Sequence, residues 1–192
     1  DADMKKLGKI AREQSKVTKF SADETTQALY RMAQAGYDVK KMEDILPTAL
    51  QFSAGGDFDL DKATDNITDY QTALELSNKE LKQAVDQWSQ AARITNTSQE
   101  QITDAALRSA QSAKALNGKY TEQTEILSVL ASNSIKGERA GTVLRNMILR
   151  LSKGSKEAYA AVYELSGKDG LEKMLDTPAH IYFKNESFIC SK

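Results

Sequence analysis

Three serine residues in this chain are each followed, three positions later, by a glutamate or a glutamine. In this arrangement the serine side chain bonds an amide in the first turn of a helix, and the longer side chain bonds back to the serine amide. The pairs are Ser21 with Glu24, Ser77 with Glu80, and Ser98 with Gln101. Apolar residues three and four positions apart follow each pair. The sequence therefore predicts discrete helices joined by short turns.

The rest of the chain before Gly167 keeps this helical spacing, and no stretch of it alternates convincingly between apolar and polar residues. We expect an all-α fold, an antiparallel array of about seven to nine short amphipathic helices with an irregular C-terminal tail. Residues 1–20 form an N-terminal amphipathic helix, 21–166 the helical core and 167–192 an uncertain tail. The helices share a layout but not a residue-level period, so we expect an array rather than a strict sequence repeat.

Two features inside the core predict interruptions. Pro47 has no amide hydrogen and disfavours helical geometry at the residue before it, which predicts a kink or a break near Leu46. Gly55-Gly56 is typical of a loop, with Asp57 or Asp59 as the cap of the helix that follows.

Later segments follow the same logic. Asn117-Gly118 is expected to close one helix, and Thr121 to cap the next. The expected core face of that next helix is Ile126, Leu127, Leu130 and Ala131. A shorter helix is expected from Ser155, with apolar residues Ala158, Tyr159, Val162 and Leu165. Trp88 lies on an apolar stripe and is expected to be a packed core residue whose ring N–H needs a partner.

The segment from Ser134 to Ser152 combines an apolar face with a basic one. Its apolar stripe, at spacings of three and four, is Ala140, Val143, Leu144, Met147, Ile148 and Leu151. Gly141 follows Ala140, and because both residues are small, another backbone could approach closely at this point. The cations Lys136, Arg139, Arg145 and Arg150 lie at the start of this segment and off the stripe, and we take them as a candidate interaction face.

Composition excludes several classes of function. The chain has 26 Lys and Arg against 27 Asp and Glu, which gives no overall bias toward nucleic acid or an acidic partner. Cys190 is the single cysteine, so no internal disulfide can form. No apolar run approaches the roughly 18 residues of a membrane span, so we expect no membrane contact in this segment. No secretory leader follows Asp1, so a mature chain that begins at Asp1 is possible.

No motif in the sequence predicts catalysis or a cofactor. The carboxylates of Asp57, Asp59 and Asp61 alternate as in a calcium loop, but Lys62 stands where the sharp turn needs glycine and Thr68 where a bidentate glutamate is required. Helix capping is the better interpretation. His180 is the single histidine, and no nucleophile motif surrounds any serine. We therefore expect no enzyme, no metal, no cofactor and no small-molecule substrate.

An alternative function comes from residues 123–150. One helix, a short turn at Ile135-Lys136-Gly137 and a basic second helix imitate a helix-turn-helix unit that could bind DNA phosphates. A recognition helix needs polar side chains in register on its exposed face, whereas this helix is apolar at most positions. We expect DNA contact to be at most nonspecific.

The blocks of this chain also resemble a known family in their order. The blocks are T-K-F-S-A-D-E at 18–24, M-A-Q-A-G-Y at 32–37, I-L-P-T-A-L at 45–50, F-D-L-D-K-A-T-D at 58–65 and I-K-G-E-R-A-G-T-V-L-R-N-M-I-L-R-L at 135–151. Together they resemble the conserved core region of tail tape measure proteins of long-tailed bacteriophages, over roughly residues 4–165. Proteins of that family are much longer than this chain, so the resemblance implies a fragment of a longer protein rather than a mature chain that begins at Asp1. The tail from Gly170 departs from that pattern.

The resemblance implies a structural role. Proteins of that family are thought to lie inside the growing tail tube in the host cytoplasm, set the length of the tail, and leave the tube ahead of the genome. The resemblance implies as partners the tail tube protein, tail assembly chaperones and other copies of the chain.

Overall fold

A computed structural model describes residues 2–115 and 118–152. All regular secondary structure within these two ranges is α-helical, which confirms the predicted fold class. The eight helices are α1 Ala2–Val17, α2 Ala22–Gln34, α3 Val39–Gly56, α4 Leu60–Leu74, α5 Asn78–Ile94, α6 Gln99–Ala115, α7 Tyr120–Ser132 and α8 Gly137–Ser152. The helix expected at Ser155, the helix end expected at Asn117, and the tail with His180 and Cys190 lie outside the described residues.

All six turns between α2 and α8 have the same hydrogen-bonding pattern. In each turn a backbone amide donates to the carbonyl five residues earlier, over 2.9 to 3.4 Å, which satisfies an otherwise unpaired carbonyl at the end of the helix. The donors are the amides of Tyr37, Phe58, Leu76, Thr97, Gly118 and Ile135. Exactly one residue separates each donor from the first residue of the next helix. Each connector therefore closes one helix and opens the next without a spacer.

The residue before the donor has a positive φ in every connector where that residue is described. These residues are Gly36 (82°), Asp57 (51°), Glu75 (55°), Asn96 (48°) and Ser134 (64°). Only the first of these residues is a glycine. The residue type therefore indicates a left-handed conformation at one of the five positions. The other four residues adopt a left-handed backbone conformation, which costs roughly 1–2 kcal/mol for a residue other than glycine.

The three predicted capping boxes are confirmed. The amide of Glu24 donates to the Ser21 hydroxyl over 3.1 Å, and the Ser21 amide donates back to the glutamate over 2.8 Å. Ser77 with Glu80, and Ser98 with Gln101, repeat this exchange. These backbone and hydroxyl donors lower the pKa of Glu24 below its usual value.

The break expected near Leu46 is wrong, because α3 runs continuously from Val39 to Gly56. A kink at Pro47 stays a prediction. Proline removes the bond to the carbonyl of Glu43, but Glu43 is exposed and water can reach that side of the helix. The side chains around the proline are fully buried, namely Ile45, Leu46, Ala49 and Leu50. Their burial, worth about 1.5–3 kcal/mol for each large side chain, outweighs the proline cost of about 3 kcal/mol.

The loop expected at Gly55-Gly56 is also wrong, since both glycines belong to the last turn of α3. A Cβ on Gly56 would lie 2.5 Å from Oε1 of Gln99 and 2.6 Å from the Phe58 ring. A larger residue at this position would therefore require the Gln99 side chain and the Phe58 ring to shift. The left-handed residue is Asp57, while Asp59 caps α4 by accepting from the Lys62 amide at 3.1 Å.

Two expectations for α7 are corrected as well. Thr121 lies inside the helix, and the residue before α7 is Lys119, whose amide donates to Glu122 over 3.3 Å. Leu127 and Ala131 are buried and Leu130 is half-buried, as predicted, but Ile126 is 41% exposed. Ile126 lies about 100° around the helix from Leu127, off the face that carries the buried Gln123, Leu127 and Ala131.

The helices form two layers, and successive helices along the chain belong alternately to one layer and to the other. One layer, the even row, contains α2, α4, α6 and α8, and each contacts the next. The other, the odd row, contains α1, α3, α5 and α7 in the same manner. Within the even row, α6 and α8 run parallel, because Gly137 lies beside Gln101 and Gly141, four residues later, lies beside Ala105, also four residues later. Chain neighbours lie in opposite rows and are antiparallel.

The array has a structural period that its sequence does not display. The residues that directly precede the helices of the even row are Ser21, Asp59, Ser98 and Lys136, at intervals of 38, 39 and 38 residues. Because these intervals differ by only one residue, we define one repeating unit as a helix of the even row together with the helix of the odd row that follows it. Each unit contacts chiefly its neighbours.

Trp88 is fully buried in the core between the rows, as predicted. Its ring lies 4.6 Å from that of Tyr70, edge to face, and 5.9 Å from that of Phe52. The expected partner for the ring N–H is not present among the described residues. The Tyr70 hydroxyl donates to Gln123, whose amide donates to the Ala106 carbonyl at 2.8 Å, so one buried network joins both rows.

The connector geometry predicts opposite effects for two substitutions. Gly36→Ala should lower the free energy of unfolding by about 1 kcal/mol, because alanine is strained at a φ of 82° even though nothing lies within 4 Å of the added Cβ. Ser134→Gly, at a φ of 64°, should leave stability unchanged or raise it by about 0.5 kcal/mol. Urea unfolding followed by circular dichroism measures both. Equal losses in the two variants would contradict the shared geometry.

Candidate interaction surface

The N-terminal half of α8 packs closely against α6. A Cβ on Gly141 would lie 2.5 Å from the Ala105 carbonyl oxygen and 2.6 Å from Cβ of Arg108. Arg108 also pairs with Glu138 at 2.7 Å across the same contact. The predicted close approach of another backbone at Gly141 is therefore confirmed, and it fixes the rotation of α8 about its axis.

This rotation separates the four predicted cations. Lys136 is half-buried, and its ammonium group donates to the Asn96 carbonyl in the turn between α5 and α6. Arg145 follows Glu138 and Gly141 at helical spacing and so lies on the edge of α8 that faces α6. Arg139 and Arg150 lie on the opposite edge.

The opposite edge is the outer edge of α8, which we define as Arg139, Val143, Met147 and Arg150. Their spacings of four, four and three place them on one stripe. Val143 is half-buried, Met147 is 45% exposed, and both arginines are exposed. Neither arginine makes an ion pair with a described residue. The outer edge is thus an apolar strip between two cations, and its role as a binding surface remains a prediction.

A series of ion pairs along the even row was not found from the sequence. The second residue of α4, α6 and α8 is acidic, and each pairs with a cation on the preceding helix of that row. The pairs are Arg31 with Asp61 at 3.6 Å, Lys62 with Glu100, and Arg108 with Glu138 at 2.7 Å. The acidic residue at the second position of each of these helices is the sequence feature that could have indicated the ion pairs. An acid there also compensates the helix dipole.

Each of these pairs is solvent-exposed by a third or more, so each contributes little to stability. The hydrogen bond to Glu100 raises the pKa of Lys62 above its usual value. Partial burial raises the pKa of Asp65, which also lies 3.8 Å from Arg31. The regular placement of the pairs therefore indicates how neighbouring helices of the row are aligned, whereas the pairs add little to the free energy of unfolding.

The carboxylates of the rejected calcium loop go to separate partners. Asp57 pairs with Lys19 at 3.3 Å, Asp59 caps α4, and Asp61 pairs with Arg31. Within the described ranges no cluster of three metal-ligating side chains occurs. No described helix has the length and apolarity needed to cross a bilayer.

The helix-turn-helix imitation at 123–150 is one instance of the common connector. Its turn has the same amide-to-carbonyl bond as the other five, from Ile135 to Leu130 at 2.9 Å. The first turns of α8, which a recognition helix would place against bases, contact α6 instead. The geometry therefore gives no specific support for the DNA-binding alternative.

The family model for phage-related minor tail proteins matches residues 3–182. The tape measure protein of Pneumococcus phage Dp-1 is 27% identical over 148 residues, which is 77% of this chain and 13% of that protein. The probable tape measure protein of Escherichia phage P2 is 27% identical over 167 residues, 87% of this chain and 20% of that protein. The chain thus spans a fifth or less of these relatives, and no solved structure matches it significantly.

The contact of α8 with α6 predicts the effect of a single methyl group. Gly141→Ala should lower the free energy of unfolding by about 1–3 kcal/mol, because the new Cβ overlaps backbone atoms of α6 that cannot move aside cheaply. Thermal or urea denaturation measures the loss.

Gly8→Ala is the matched control. Glycine at this position of α1 has no neighbour closer than the Arg12 guanidinium at 3.9 Å, so alanine should stabilise the helix by about 0.5–1 kcal/mol. A Gly141→Ala variant as stable as the wild type would mean that α8 does not pack on α6 in this manner.

Proposed function

Because the chain belongs to the phage-related minor tail protein family, we propose that it is a section of a tape measure protein, a structural component that lies in the lumen of the tail tube and sets the length of the tail. The match of the family model to residues 3–182 carries this proposal, together with the two similar proteins that are named tape measure proteins. A phage tail structural role is a mechanical one, and the proposal assigns no catalytic step to this section.

The repeating helical pair supports a measuring role in physical terms. A ruler needs a length that grows in proportion to the number of residues. In the packed array each added pair advances the row by one interhelical distance, about 8–10 Å. If the pairs separate and the helices lie end to end, each residue adds about 1.5 Å. In both states the length of the ruler is proportional to the number of residues, but one helical pair adds a very different length in each state.

The same construction is compatible with exit from the tube before the genome. Neighbouring units of the even row are joined by exposed ion pairs and by contacts of small residues, such as Gly141 with Ala105. Exposed pairs contribute little to stability, and the remaining cost of separation is the buried core, which the repeated construction divides into one portion for each helical pair. The outer edge of α8, with Arg139 and Arg150, is the surface that we assign to tail tube subunits, assembly chaperones or other copies of the chain.

Removal of one helical pair tests the proposal and distinguishes the two states. A phage whose gene lacks residues 59–97 joins Phe58 directly to Ser98, which restores a complete connector. If the ruler is extended, its tails should be shorter by about 58 Å, the length of 39 helical residues. If the array stays packed, the difference should be about 10 Å. Electron microscopy of purified particles measures tail length.

Duplication of residues 59–97 is the matched control, because it changes the length in the opposite direction while it keeps every connector intact. It should lengthen the tail by the same increment. Assembled tails of normal length in both variants would refute the measuring role of this section.

A further inference from the structure

Two carboxylates lie beside one cation where α2 contacts α4. The Arg31 guanidinium group on α2 lies 3.6 Å from the Asp61 carboxylate and 3.8 Å from that of Asp65. Asp61 and Asp65 are four residues apart on α4, so they lie on one face of the helix and repel each other. The single guanidinium charge offsets only one of the two negative charges.

The contact of α4 with α6 repeats this arrangement. The Lys62 ammonium group on α4 donates to the Glu100 carboxylate, and its charge also acts on Asp104. Glu100 and Asp104 are again four residues apart on one helix face. Asp65 is the sixth residue of α4 and Asp104 the sixth residue of α6, and both are half-buried. The same carboxylate therefore recurs in two successive units.

The contact of α6 with α8 lacks the second carboxylate. Arg108 on α6 pairs with Glu138 on α8 at 2.7 Å. The sixth residue of α8 is Thr142, whose hydroxyl donates to the Glu138 carbonyl at 2.9 Å. This contact thus has one carboxylate where each of the other two has a pair, and it provides an internal comparison for them.

The surroundings of both aspartates disfavour the ionised form. Burial is the largest cause that raises the pKa of Asp65 and of Asp104 above the usual value. The cations that act on them lower the pKa but do not cancel the effect of burial. The charged groups that act on Asp65 are Arg31 of α2 and Asp59, Asp61 and Asp69 of α4. The charged groups that act on Asp104 are Lys62 of α4, Glu100 and Arg108 of α6, and Glu138 of α8.

We propose that the contacts of α4 with α2 and with α6 form a pH-sensitive switch, in which protonation of Asp65 and Asp104 removes a surplus negative charge from each contact and strengthens it. The contact of α6 with α8 has Thr142 at the equivalent position and stays outside the switch. This inference concerns the array itself and does not depend on the tape measure role.

The direction of the pH effect follows from the raised pKa values. A carboxyl group whose pKa is higher in the folded chain than in the unfolded chain destabilises the folded chain when it is ionised. This destabilisation is fully present at neutral pH and disappears as the pH falls through the raised pKa. Neighbouring units at the first two contacts are therefore held less firmly at neutral pH than in mild acid.

Removal of the two charges from the full 192-residue chain tests the switch. Asp65→Asn and Asp104→Asn should each lower the equilibrium constant of unfolding about twofold at pH 7, and the double variant about fourfold, because each change removes a like-charge repulsion. This advantage over the wild type should shrink as the pH falls toward about 4, since the wild-type carboxyl groups then lose their charge as well. Urea unfolding followed by circular dichroism at a series of pH values measures these constants.

Thr142→Asp is the matched control, with Thr142→Asn as its uncharged reference, because it places a second carboxylate at the contact of α6 with α8. Relative to that reference it should raise the unfolding constant about twofold at pH 7, and the difference should shrink in acid. Asparagine variants at positions 65 and 104 that are no more stable than the wild type at pH 7 would overturn the proposal. So would an advantage that is the same at every pH, because it would not come from the charge of the two aspartates.

Discussion

The structure depends on how the unpaired backbone groups at helix ends are satisfied. Six connectors solve this problem identically, since each returns an amide to the carbonyl five residues earlier and places the next helix one residue beyond that donor. A connector this short and this uniform reverses the chain in the same way each time. Two parallel rows with a nearly constant period follow from that constraint, whatever side chains fill the space between them.

Much of the fold could be predicted because the relevant signals are local. The capping boxes at Ser21, Ser77 and Ser98 gave three helix starts, and the small residue at Gly141 gave the close contact of α8. The period could not be predicted, because Asp59 and Lys136 fill the equivalent positions with different chemistry. Of the five described left-handed residues that precede a connector donor, four are not glycine, so their conformation is imposed by the connector. The errors at Pro47 and Gly55-Gly56 have the same origin, since tertiary packing overrode local preference.

The candidate surface was predicted only in part. Sequence spacing shows that Arg139, Arg145 and Arg150 avoid the apolar stripe, but it does not show which side of the helix a neighbour occupies. That depends on the contact of Gly141 with Ala105, which turns Arg145 toward α6 and leaves Arg139 and Arg150 on the outer edge. The ion pairs of the even row escaped notice for a related reason. Their partners lie 30 to 38 residues apart, beyond the reach of any helical periodicity.

The period of the array has a mechanical consequence for a phage minor tail protein. In a domain with one central core, a pulling force must break most contacts at once, and the barrier grows with the size of the domain. In this chain each helical pair touches mainly its neighbours, so a force applied at one terminus would peel off a single pair at a time. The work of unravelling is then divided into many small and similar steps, and the peak force stays the same however long the molecule becomes.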